Sequence, residues 1–156
     1  MMGVLFSEDR IDFRGKLTTG EIKQVVRNGG ADTLQTDTLP LDVSTLQRLN
    51  EEYFAKYPHT ELRIYTYGSC DLSLLKVMDK VRKLSVEASS GILGIDAIYQ
   101  LPALRHLCVE TPKIEDKDFL VKIPASLESL DLDIAAKSFD LKPLTRFTEL
   151  KVLGLH

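Results

Sequence analysis

Apolar residues recur along the second half of this chain at a fixed interval. The stretches VRKLSV, LRHLCV, LESLDL and LKVLGL begin at Val81, Leu104, Leu127 and Leu150, each 23 residues after the last. Their middle leucines, Leu84, Leu107, Leu130 and Leu153, keep that interval, as do Val86, Val109, Leu132 and Leu155. Two further columns precede them, one of Leu75, Ile98, Val121 and Leu144, the other of Met78, Leu101, Pro124 and Phe147. Apolar residues two apart predict a strand with one buried face. Five columns in register through four copies predict stacked units, none able to bury its apolar side alone.

Upstream the strand column continues through Leu62 and Ile64 in ELRIY, Leu34 in TLQTD, and Ile11 and Phe13 in RIDFRG. The intervals are 23, 28, 22, 23, 23 and 23 residues, so seven strands are expected. The long interval holds VSTLQRLNEEYFAKYP, where Ser44 and Gln47 predict a capping box and Leu46, Leu49, Tyr53 and Tyr57 recur at helical spacing. GEIKQVVRNGG predicts a shorter helix ending at Gly29, and DLSLLKVMDK a third, opened by Asp71. In later copies Pro102, Pro124 and Pro143 limit the same segment to a turn or two. Val4, Leu5 and Phe6 predict a first strand or cap packed on the core. Residues 1–156 thus read as a single domain, with divergent, more helical repeats over 1–70 and regular ones over 71–156.

The pattern L-x-x-L-x-L/V resembles the leucine-rich repeat family, and FDLKPLTRFTELKVLGL is similar to its internalin-type repeat of about 22 residues. In that type a D-x-x-P-L segment precedes the strand by half a repeat. The resemblance implies an α/β fold: a right-handed leucine-rich-repeat solenoid with a concave parallel sheet and short convex helices. It also implies that the concave face binds other proteins. Where the family carries Asn or Cys just after the strand, this chain has Ser89, Pro112 and Ala135, which implies a divergent form.

With the leucines turned inward, alternation puts three columns on the open side of the sheet. The first is Arg10, Thr33, Glu61, Lys83, His106, Ser129 and Val152. The second is Asp12, Gln35, Arg63, Ser85, Cys108, Asp131 and Gly154, and the third Arg14, Asp37, Tyr65, Glu87, Glu110, Asp133 and His156. Glu87, Glu110 and Asp133 predict a ladder of like charges, eased by Lys83, because neighbouring strands lie about 4.8 Å apart. Arg63, Tyr65 and Tyr67 beside it are types enriched at binding hot spots. A partner-binding surface of Arg63, Tyr65, Tyr67, Glu87, Glu110, Asp131 and Asp133 is expected. Reversing Glu87 and Glu110 to lysine is expected to spare the fold.

Composition narrows the partner. The 20 basic and 23 acidic residues leave a net charge of -3, with no basic excess for a phosphate backbone, so nucleic acid is not expected. A protein or peptide, of basic character if it meets the ladder, is. No apolar run reaches membrane-spanning length, and the first ten residues lack a basic flank and secretory layout. MGVLFS would fit the myristoylation pattern only if translation began at Met2, and Met1 blocks it. The two cysteines, Cys70 and Cys108, form no CxxC pair and predict free thiols in the cytoplasm.

Chemistry is weakly signalled. His106, Cys108 and Asp131 share one face, but side chains two apart on a strand lie about 6 to 7 Å from each other, and an open sheet offers no oxyanion pocket. No catalytic residue or cofactor is expected. His106, Cys108, Glu110 and Asp133 form a mixed set of soft and hard donors, the weak candidate for a divalent ion. The expectation is a non-enzymatic binding module. The alternative is a substrate-recognition or regulatory segment of a larger enzyme or effector. ELKVLGLH, ending on a strand without a polar cap, predicts either a piece of a longer repeat protein or a homodimer formed through that edge.

Overall fold

The chain alternates short strands with shorter helical turns, and a computed structural model describes residues 3–37, 41–135 and 140–156 of it. Met1 and Met2, on which the myristoylation reading turns, and Phe139 of FDLKPL lie outside the described residues. The strands are β1 (Val4–Phe6), β2 (Arg10–Phe13), β3 (Thr33–Thr36), β4 (Glu61–Thr66), β5 (Ser69–Asp71), β6 (Lys83–Ala88), β7 (Gly91–Leu93), β8 (His106–Thr111), β9 (Ser129–Ile134) and β10 (Val152–Leu155). The α-helices are α1 (Thr19–Asn28), α2 (Val43–Arg48), α3 (Asp96–Tyr99) and α4 (Phe119–Lys122).

Eight strands form one sheet in the order β1-β2-β3-β4-β6-β8-β9-β10, parallel throughout except for the antiparallel pair β1 and β2. Strands β5 and β7 form a separate parallel pair. The fold is therefore mixed α/β, built on a mostly parallel sheet. Register follows the sequence columns: Arg10 faces Thr33, then Glu61, Lys83, His106, Ser129 and Val152 in turn. One side of each strand enters the core, where Leu34, Leu62, Leu84, Leu107 and Leu130 are all buried. Removing each such side chain from water contributes about 1.5 to 3 kcal/mol. The two edge strands are less covered. Val4 is buried, but Leu5 and Phe6, expected against the core, are 58% and 41% exposed. At the other edge β10 pairs only with β9 among the described residues, and Leu153 and Leu155 are each 45% exposed.

The helical segments follow local chemistry. Thr18 caps α1, its hydroxyl accepting from the Glu21 N–H while Glu21 accepts from the Thr18 N–H, and Gly29 ends it at φ 90°, a left-handed conformation that suits glycine. The cap of α2 is Asp42 rather than Ser44: its carboxylate accepts from the Thr45 N–H at 2.8 Å, a single side-chain cap two residues ahead of the expected Ser44 and Gln47 box. α2 runs on as a π-helical turn over Leu49–Phe54, burying Leu46, Leu49 and Tyr53 as their spacing requires. Asp71 does open the third segment, accepting from the Ser73 N–H at 3.0 Å, but a 3₁₀ turn over Ser73–Val77 follows instead of a longer helix.

One column slips. Leu75 and Ile98 are buried as expected, whereas Val121 is 49% exposed and Pro124 half-buried; Leu120 and Ile123 fill the core in their place. The spacing from Ile98 to Leu120 is 22 residues and from Leu120 to Leu144 is 24, so the connecting loops absorb a shift that leaves the strands in register. Among the described residues no helix is long and apolar enough to cross a membrane.

Candidate functional site

The third outward column crosses β4, β6, β8 and β9, pairing Tyr65 with Glu87, Glu87 with Glu110, and Glu110 with Asp133. Tyr65 and Glu87 are half-buried; Glu110 and Asp133 are exposed. The expected ladder is present in register, but its members differ in charge balance. Arg63 donates from Nε to Glu87 Oε1 at 2.9 Å and from Nη2 to Glu87 Oε2 at 2.8 Å, so Arg63, not Lys83, compensates this end. Glu110 and Asp133 have no hydrogen-bond or ion-pair partner among the described residues.

Arg63 is itself held from the other side. Its Nη1 donates to Gln35 Oε1, Gln35 Nε2 donates to Asp12 Oδ1 at 2.8 Å, and Arg10 Nε donates to Asp12 Oδ2 at 3.0 Å. Arg10, Asp12, Gln35, Arg63 and Glu87 thus form one polar chain across four strands, which explains how Gln35 can be 3% exposed in an outward column. Sequence reasoning placed Asp12, Gln35 and Arg63 side by side but assigned the first two no role. Their complementary donor and acceptor types were the available signal.

Tyr65 and Tyr67 meet edge to face with ring centroids 6.4 Å apart, and the Arg63 guanidinium carbon lies 5.1 Å from the Tyr65 centroid. Tyr67 is 90% exposed, an aromatic surface with nothing over it. These residues line a groove of about 450 Å³ together with Glu87, Glu110, Pro112 and Asp133. Ser89, one of the residues noted where the resembled family carries Asn or Cys, donates from its hydroxyl to the Tyr67 carbonyl. Thr111 also lines the groove, and its buried hydroxyl lacks a hydrogen-bond partner among the described residues.

Asp131 belongs elsewhere. It borders a separate hollow of about 240 Å³ with Glu61, Lys83, His106, Cys108 and Ser129. There Cys108 and Asp131 are paired across strands, His106 Nε2 lies 3.7 Å from Glu128 Oε2, and His156 Nε2 lies 3.5 Å from Asp131 Oδ1. Burial pushes the Cys108 thiol up, against a hydrogen bond from Ser85, and burial and then Lys83 push the His106 imidazole down. The thiol therefore stays protonated near neutral pH, the opposite of an activated nucleophile. Among the described residues no three His, Cys, Asp or Glu side chains are placed to share a metal ion; His106 and Cys108 border this hollow, Glu110 and Asp133 the groove.

No protein-family model matches the chain, and no curated protein matches it.

Proposed function

We propose that this chain is a right-handed leucine-rich-repeat solenoid that binds a protein or peptide in the groove between Tyr65, Tyr67, Glu110 and Asp133, without catalysing a reaction. The repeat reading is supported by seven parallel strands whose register follows the sequence columns. The binding reading is carried by one observation: Tyr67, 90% exposed, and two carboxylates with no partner among the described residues line a single groove. Exposed aromatic surface is favourable to cover, and a partner of opposite charge relieves the repulsion between two neighbouring carboxylates.

Arg63 and Glu87 build the wall rather than contact the partner directly, since each is already committed to the polar chain. An acidic groove disfavours nucleic acid. The free thiols, Cys70 buried and Cys108 half-buried, suit a reducing compartment such as the cytoplasm.

The test is selection from a random displayed peptide library on the full chain, followed by measurement of the selected peptides on Tyr67→Ala and Glu110→Lys variants. Binding should fall about tenfold on either change, the size expected for a central contact residue. Selected peptides indifferent to both changes, or a selection that yields no binder, would overturn the reading.

A further inference from the structure

We propose that the occupant of this groove presents an arginine, its guanidinium packed beside Tyr67 and paired with Glu110 and Asp133. The inference rests on the binding reading above and narrows it to one side-chain chemistry. It begins from an arrangement the protein already contains. Arg63 lies with its guanidinium carbon 5.1 Å from the Tyr65 ring centroid and its two-pronged hydrogen bonds on Glu87. A tyrosine and a carboxylate on adjoining strands hold an arginine there. The rest of the groove offers the same residue types without a cation of its own: Tyr67 follows just past the end of β4, and Glu110 and Asp133 continue the row beyond Glu87 on β8 and β9.

Charge points the same way. The groove is lined by one guanidinium against three carboxylates, and that guanidinium is spent on Glu87 and Gln35. Glu110 and Asp133 are register partners, so their strands hold them about 4.8 Å apart at the backbone, where like charges repel. One cation between them relieves both. A guanidinium meets this geometry better than an ammonium: its planar fork presents several N–H groups at once, enough for two carboxylates, and its weakly hydrated face stacks on an aromatic ring.

The experiment is an NMR titration of the ¹⁵N-labelled full chain with three end-blocked heptapeptides, identical but for a central arginine, lysine or citrulline. The arginine peptide should shift the amides of Tyr65, Tyr67, Glu110 and Asp133. It should bind about tenfold tighter than its neutral citrulline twin and about threefold tighter than the lysine peptide. A Glu110→Gln, Asp133→Asn chain should bind arginine and citrulline alike. Both residues are exposed, so unchanged core amides would show that this variant folds. Equal binding of citrulline or lysine, or shifts outside the groove, would overturn the arginine assignment. If library-selected peptides occupy the groove without arginine, this inference falls and the binding reading stands; if none occupies it, both fall.

Discussion

Arg63 and Glu87 stand on diagonal positions of β4 and β6, and guanidinium meets carboxylate through two parallel hydrogen bonds of 2.9 and 2.8 Å. Both side chains are 31% exposed, which screens the pair less than an open surface would. Two-pronged geometry and the second anchor at Gln35 put its coupling near the upper end for such pairs, about 1 kcal/mol. A double-mutant cycle with Arg63→Gln and Glu87→Gln, read by urea unfolding, measures it directly. Coupling near zero would mean that the polar chain across the sheet is incidental.

The same pair separates two substitutions that sequence reasoning treated alike. Glu87→Lys sets a cation against Arg63 and breaks the chain to Gln35, so it should destabilise by about 1 to 3 kcal/mol. Glu110→Lys touches no described partner and should change stability by less than about 0.5 kcal/mol. Thermal unfolding of the two variants side by side decides this, and equal losses would refute the distinction.

Strand faces are tested at neighbouring positions. Leu107 is 2% exposed between stacked strands, so Leu107→Ala should cost about 2 to 5 kcal/mol. Cys108 faces outward and is half-buried, and Cys108→Ser should cost less than about 1.5 kcal/mol. Equal destabilisation in denaturant titrations would reverse the faces.

The slipped column offers a parallel comparison. Leu120→Ala should lose about 2 to 5 kcal/mol, while Val121→Ala should lose less than about 1 kcal/mol. The strict 23-residue repeat predicts the reverse order, so unfolding of these two variants discriminates between periodic and observed packing.

Burial raises the Glu61 pKa above its ordinary 4.5, with Arg63 and then Lys83 opposing the rise and Glu87 adding to it. The folded chain therefore holds this proton more tightly than the unfolded chain, and stability falls as pH increases from 4.5 through the folded pKa. Glu61→Gln should remove that decline and leave the protein more stable at pH 7, measured by urea unfolding across the window. A less stable variant at pH 7 would show that attraction to Arg63 and Lys83 outweighs burial.

The order of the seven strands, their register and the face buried by all but the edge strand β10 were legible in the amino-acid sequence, because a two-residue alternation repeated every 23 residues is a local, periodic signal. The same periodicity brought Tyr65, Glu87, Glu110 and Asp133 into one row. The mixed α/β, mostly parallel sheet follows from it. Tertiary structure alone decided which members of that row are free. Arg63 reaches past its own register partner, Ser85, to Glu87 and back to Gln35, a choice of side-chain direction that alternation does not encode. Asp131 borders the His106 and Cys108 hollow rather than the groove, as its register with Cys108 in the second column implies. Helix starts and the exchange of Val121 for Leu120 also escaped the pattern. Asp42 and Ser44 are both capping types, and the direction in which the chain enters α2 selects between them; around α4, loops of adjustable path let the best-filling side chains enter the core whatever the repeat interval.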